Sequence, residues 1–528
     1  MEKKYCLLES DSITINENSY KKTVLYRIKA LKNFNLYTDG TSYRKKETVL
    51  AGELGGYVES ESNLSQEGSA WIYGEARVYD WATVSEDAVV YDSAQIFDSA
   101  SVYGNAQVYG NAQISQEATV KGSARVYGNA KVRGRSEVCE RACVYDNAQI
   151  HEDFIFDSDD PSVFLEGPVV WPGPTIHGDA KVYENAQVIG TSDISGESKL
   201  HGGASIDKTI ISGKAQIEGN AKVYDSKISD NAHVEGEAEL NEVEMSENSN
   251  IWGCYGKVRV SKSILFGSGS VQSKAEVEDS KIFGQAAIWQ NARVFNSNVG
   301  QDAKVRGDAT LCYSSVIGSA SVFGHASVSN GVISDCAQVF GGAYINVDDH
   351  VDDPVLISDQ AIVAGQAYIR SRDDIVIITN IGDDFGTLTA YRTILGNIEI
   401  SKGKFIGTIG EFKSAVNKLY SLGSKARRCY DSLLQTLAIR FEWDEETEEA
   451  RNERAEKFHG KGMWDFLKNY EEEKKERLLK RDEAETISIC NRDSFDANGT
   501  LTSEKNCLGL GFSNGDVRLY RQTKKYDY

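Results

Sequence analysis

With 528 residues, 58 Lys and Arg against 79 Asp and Glu, and a formal charge of −21, the chain is poorly suited to nucleic acid, because phosphate contact needs clustered cations. Neither a membrane-spanning apolar run nor the apolar core of a signal peptide occurs, the N-terminus reading MEKKYCLLESDS. Nine cysteines with no CxxC pair read as reduced thiols, and the expected setting is the cytoplasm.

Residues 1 to about 50 hold two predicted strands, KKYCLLE and KTVLYRIKAL, joined by a polar turn around Asn16, Glu17 and Asn18. They are expected to cap the open end of a repeat array that begins beyond residue 50. The segment from Ala51 to Gly68, AGELGGYVESESNLSQEG, leads into a strict repeat from Ser69 to Ile150: SAWIYG, EARVYD, WATVSE, DAVVYD and onward. An aliphatic residue recurs at every sixth position, from Ile72, Val78 and Val84 to Val138, Val144 and Ile150, and Ala sits two residues before each except at Ser136. Neither a helical nor a two-residue period sustains this, whereas a solenoid of short strands does. Ala and the aliphatic residue share one side, and the Gly, Asn, Asp and Ser between them turn a corner. Three sides close a triangle, and each coil pairs with the next through a parallel ladder about 4.8 Å away.

These repeats resemble the hexapeptide-repeat, left-handed parallel β-helix family, and the resemblance supplies the handedness, which general connection rules would set the other way. With the lead-in segment, the chain is similar to the YdcK-like hexapeptide-repeat proteins of bacteria and phages, often labelled acyltransferases. The match runs through Ala51, Gly52, Gly55, Gly56, Val58, Leu64, Ser65, Gln66, Gly68, Trp71, Ile72 and Tyr73. The expected fold is therefore mainly β: a single-stranded left-handed parallel β-helix over 51–372, an N-terminal β cap over 1–50, and a C-terminal α+β module.

After Ile150, residues 152–174 hold four of the five prolines and read as an excursion from a corner or a distorted coil. The repeat resumes at Ile176. From Ile211 the interval becomes five, six and six, shortening each coil to about seventeen residues, with Ser226, Ser280, Ser297 and Ser314 where Ala would have been. Gly253 to Ser273 is irregular, and the six-residue step persists through Val351, Ile357, Val363 and Ile369. About seventeen coils make a rod on the order of 80 Å long. The α+β module, 373–441, combines strands in DDIVIITNIG, TLTAYRTILG and NIEISKGKFIG with two helices, one behind a Thr408/Glu411 capping box and one from about Ala426 to Phe441. Through Gly403, Phe405, Gly407, Thr408, Glu411 and Phe412 it resembles a strand-strand-helix unit that ends many phage-type repeat proteins. Residues 442–485 read as a charged helix, and 486–528, with Asn498-Gly499 and Asn514-Gly515 as turn signals, as a small β appendage.

The residue after each aliphatic position points outward. On one side these are Tyr73, Tyr91, Tyr109, Tyr127 and Tyr145, and a second outward row holds Trp252, Trp289, Phe323 and Phe340 with Arg306 among them. Such rows either brace neighbouring strands or form a contact surface for a second chain or a sugar ring. The acyltransferase label implies a His general base acting on a CoA-borne thioester, at a groove between chains of a trimer. Of the seven histidines, His151 and His177 flank the excursion and are the catalytic candidates. No metal is expected. The acidic runs Asp157, Asp159, Asp160 and Asp348, Asp349, Asp352, Asp353 lack calcium-loop spacing, and Cys139 and Cys143 fall on different sides of a corner with no nearby His.

The favoured reading is a non-enzymatic structural or protein-binding rod, of phage-type resemblance, needing no cofactor. It would contact a protein partner or its own copies side by side along a prism face, and touch neither nucleic acid nor membrane. The alternative is a CoA-dependent acyltransferase using acetyl-CoA. A third is an acidic mimic of nucleic acid that fills the groove of a DNA-binding protein.

Overall fold

The computed structural model describes residues 3–16, 22–36, 48–152, 172–347, 354–382 and 384–443, with the backbone of 508–513 and 516–521. The chain divides into two units, Met1–Gln366 and Ala367–Tyr528. The first is a parallel β-solenoid of about fifteen turns, built from strands of mostly two or three residues on three walls. Wall A carries Ile72, Val90 and Val108, wall B Val78, Ile96 and Ile114, and wall C Val84, Val102 and Val120. Each is aligned with its equivalent in the next coil. Wall C is a sheet of 15 strands. Walls A and B merge into one sheet because two long strands, His233–Asn241 and Asn250–Ser261, run from A to B without a break.

The repeating Ala and aliphatic side chains are fully buried from Ala70 and Ile72 to Ala148 and Ile150 and again beyond Ile176. A prism this narrow has room inside for a methyl opposite a branched chain and little else. The fifteen strands of wall C, at about 4.8 Å spacing, span roughly 67 Å, shorter than the sequence expectation of seventeen coils. Asn147 and Asn185, 38 residues apart, occupy adjacent coils and are hydrogen-bonded at 3.2 Å, so the inserted residues add length without adding a coil. Residues 153–171 and Val351 lie outside the described residues.

The corners explain much of the negative charge. Asp80, Glu86, Asp92 and Asp98 turn the chain with φ of 55–58°, a left-handed conformation that short polar residues tolerate better than branched ones. Their carboxylates then accept the backbone N–H of the equivalent corner one coil on, as Glu86 does from Gly104 at 3.0 Å and Asp98 from Gln116 at 3.0 Å. Where Gly104 stacks on Gly122, a Cβ would come within 2.8 Å of the next backbone nitrogen.

The five-residue corner is closed by buried hydroxyls. Ser297 donates to Phe295 O at 2.6 Å and accepts the N–H of Ser314 at 3.0 Å, and Ser280 and Ser314 repeat the arrangement. Shortening the corner leaves these amides without an in-register carbonyl, and the hydroxyl supplies the acceptor. An orphaned buried amide would cost about 1–3 kcal/mol.

The N–H groups on either side of each inward aliphatic residue donate to carbonyls of the coil after it, as Tyr73 N does to Val90 O at 2.8 Å and Thr83 N to Ala100 O at 2.9 Å. The N-terminal end therefore includes carbonyls that no preceding coil claims. The cap supplies donors to it. Strands Tyr5–Asn16 and Lys22–Ala30 pair antiparallel, and Leu54–Val58 joins the second of them to the solenoid. Buried Lys4 donates from Nζ to Ala70 O, Glu67 O and Gly68 O at 3.0, 3.2 and 3.4 Å. Tyr5 donates to Leu64 O at 2.6 Å, and Asn63 Nδ2 to Asp80 O and Ala82 O, both at 2.9 Å. Burial, helped by Lys32 and opposed by Asp87, lowers the Lys4 pKa to about 8. Trp71 is fully buried here, with Tyr5, Phe34 and Tyr73 meeting it edge-on. Gly55 allows the close approach, since a Cβ would lie 2.5 Å from Ile28 Cγ1 and 2.6 Å from Ile72 O.

The second unit is an antiparallel meander of Ile375–Ile381, Gly386–Arg392, Ile398–Lys402 and Phe405–Thr408, followed by α1 (Ile409–Leu419) and α2 (Lys425–Phe441). The expected capping box is present: Glu411 N donates to Thr408 Oγ1 at 3.2 Å and Thr408 N to Glu411 Oε2 at 2.8 Å. Leu388, Ile400, Phe412, Val416, Leu433 and Leu437 are among the residues of its core. A hairpin of Leu508–Ser513 and Asp516–Arg521 matches the expected β appendage. The charged stretch 444–485, both acidic runs, His350 and His459 lie outside the described residues.

Candidate functional site: the outward column of wall A

Sequence spacing suggests two aromatic rows, and the structure places both in one column of wall A. Pairing through Val144, Val182, Leu200, Ile217, Val234, Ile251, Val271 and Ile288 places the residues immediately after them in a single column. It runs from Tyr73 through Tyr145, Tyr183, His201, Glu218, Glu235, Trp252, Gln272, Trp289, Arg306 and Phe323 to Phe340. In sequence the column reads as two rows because an eighteen-residue count breaks at the excursion and again where coils shorten to seventeen.

The two aromatic stretches differ in what they leave exposed. Tyr91, Tyr109, Tyr127, Tyr145 and Tyr183 form a face-to-face stack continued by His201, with centroids 4.6–4.9 Å apart and planes within 10°. Their faces cover one another, so this half braces the ladder and offers only ring edges and hydroxyls; each pair contributes about 0.5–1.5 kcal/mol. Burial, then the neighbouring phenols, holds the Tyr127 and Tyr145 hydroxyls above the usual phenol range. A sugar ring could not stack flat here.

The far half is more open. Trp252 is 37% exposed, and the Arg306 guanidinium lies between two rings, 5.9 Å from Trp289 and 4.7 Å from Phe323, with Phe340 stacked beyond at 4.7 Å. Beside it, four residues, Cys254 to Lys257, bulge out where the neighbouring coil has only Glu237. Tyr255 at its tip is 85% exposed. The bulge overhangs an open cleft of about 380 Å³ lined by Ser273, Lys274, Gln290, Asn291, Gly307 and Asp308. An adjoining cleft of about 470 Å³ adds Lys257, Arg259, Glu276 and Arg293. Arg259 bridges to Glu276 at 2.7 Å and Lys257 to Glu239 at 2.6 Å. Lys274 has no carboxylate within 4.0 Å among the described residues, so this corner presents a free cation on an otherwise acidic chain.

The candidate histidines do not converge. His151 ends the wall B strand Gln149–His151, in register with Ile189, and its Nδ1 is 3.2 Å from Glu152 O. His177 is on wall C, with Nε2 2.9 Å from Asp193 Oδ1. The sequence reading gives Cys139 no nearby His, and the structure corrects this. Cys139 and His177 hold the same position in adjacent coils, because 38 residues make one turn there. Burial, then the bond with Glu137, pushes the Cys139 thiol up to about 12, which suits a packed thiol and not a nucleophile. The seven cysteines among the described residues are all free.

No protein-family model matches the chain, and no curated protein is significantly similar to it. Among the described residues no helix is long and apolar enough to cross a membrane.

Proposed function

We propose that the chain is a non-catalytic β-helical scaffold that docks a protein partner along the Trp252 to Phe340 half of wall A. The observation that carries this is the arrangement of Trp252, Trp289, Arg306, Phe323 and Phe340 at one outward position of a rigid ladder. Trp and Arg anchors dominate the energetics of protein contacts, and rigid presentation lowers the ordering cost. Arg306 between its rings and unpaired Lys274 beside them favour a partner segment that carries apolar side chains and a carboxylate. The resemblance to YdcK-like proteins of bacteria and phages, and to phage-type end modules, is consistent with an assembly role in the cytoplasm. A mimic of nucleic acid is less well supported, since many corner carboxylates are tied to amides of the next coil.

The test compares affinity captures from the source cell with the full-length protein, the triple variant Trp289→Ala, Arg306→Ala, Phe323→Ala, and Tyr127→Ala. A partner is expected to be held by wild type and Tyr127→Ala and lost, by about tenfold or more in affinity, with the triple variant. Equal capture by all three would refute the docking face.

One observation favours a second reading: the His177–Asp193 pair has the geometry of a base oriented by a carboxylate. Under the scaffold reading acetyl-CoA leaves the melting temperature unchanged. A stabilisation that vanishes in His177→Ala would instead support a CoA-dependent acyltransferase.

A further inference from the structure

Between its two aromatic stretches the wall A column turns polar. Glu218 and Glu235 stand at the outward position in adjacent coils, and His233 precedes Val234 on the same strand as Glu235. His233 Nε2 is 2.7 Å from Glu218 Oε1, and one ligand atom each from Glu218, His233 and Glu235 fall within 4.8 Å of one another. The other Glu218 oxygen, Oε2, is 3.5 Å from Nε2 of His201, whose ring is fixed by stacking on Tyr183 at 4.6 Å. Cys254, at the start of the bulge, brings its Sγ to 3.1 Å from Glu235 Oε1. Among the described residues Glu235 has no cationic partner, so two carboxylates and two imidazoles share a half-buried patch that a divalent cation would neutralise.

We propose that Glu218, His233 and Glu235 bind a divalent transition metal of the zinc class, with Cys254, which touches Glu235 but stands outside the three-residue cluster, turning in as a fourth donor. Nitrogen and sulfur donors beside carboxylates select zinc, cobalt or nickel over calcium and magnesium, which prefer all-oxygen sets. Donors at about 2.1 Å from a tetrahedral ion lie about 3.4 Å apart. The 2.7 Å Glu218–His233 contact therefore opens by about 0.7 Å when the ion takes the place of the hydrogen between them. Glu218 and Glu235 are held one coil apart by backbone pairing. His201, holding the second oxygen of Glu218, positions that carboxylate.

The test titrates Co²⁺ into metal-free full-length protein and displaces it with Zn²⁺. One equivalent is expected to bind, with a thiolate-to-cobalt charge-transfer band and quenching of Trp252, one coil from Glu235, read as the difference from Trp252→Phe. Glu218→Gln and His233→Ala should each weaken binding more than about tenfold while the far-ultraviolet circular dichroism stays unchanged. Cys254→Ser should keep binding and lose the charge-transfer band. Absence of saturable binding, or unaltered affinity in both Glu218→Gln and His233→Ala, overturns the site; an unaltered spectrum in Cys254→Ser overturns the thiol as donor.

Discussion

Ile114→Asp is expected to remove more than about 4 kcal/mol of stability, whereas Gln113→Asp, one residue earlier, should change it by no more than about 0.5 kcal/mol. Ile114 is fully buried on wall B, stacked between Ile96 and Val132 in the coils on either side, and the alanines that share the interior offer a carboxylate no hydrogen bond. Gln113 points outward from the same strand. Because a solenoid is stabilised mainly by contacts between neighbouring coils, the damage should spread from the coil holding Ile114. Urea unfolding followed by circular dichroism should show a midpoint loss for Ile114→Asp alone. Equal losses for the two variants would mean that the interior is not where the six-residue register puts it.

The second large effect is expected at the cap. Lys4→Met with Tyr5→Phe withdraws the donors from Ala70 O, Glu67 O, Gly68 O and Leu64 O. A hydrogen bond from a charged group is worth about 1.5–3 kcal/mol, so the first coils should lose more than about 3 kcal/mol. Lys3→Met is the control. Lys3 meets Glu61 at 2.7 Å on the surface, and its loss should cost less than about 1 kcal/mol. Hydrogen exchange over residues 57–90 is the readout: faster exchange in the double variant and near-native exchange in Lys3→Met. Indistinguishable protection in the two would refute the donor role of the cap. An uncapped row of acceptors is also a template for association, so the double variant should aggregate more readily.

The interior was legible because it is a local rule. Ala, one residue, then Val or Ile says which side each residue faces without reference to any distant part of the chain, and Ser297 in place of Ala marks the tighter corner that its hydrogen bonds close. The exterior was not legible in the same way. Neighbours on a wall are one coil apart, and a coil is 18 or 17 residues long, 20 at the bulge, 24 near the end and 38 across the excursion. Spacing therefore gave Tyr91 to Tyr145 as a row but missed Tyr183 and His201. It set Trp252 apart from a column that it continues, and left Cys139 without the His177 that lies in the next coil.

The periodic sequence thus determined the three-walled parallel solenoid, its buried set and its need for a cap, since hydrophobic burial at six-residue intervals has one efficient solution. Only the tertiary structure decided which outward side chains meet, because that depends on how many residues each coil spends at its corners and insertions. The polar cluster of Glu218, His233 and Glu235 arises from stacking alone: no run of consecutive residues contains it, and the ladder brings it together.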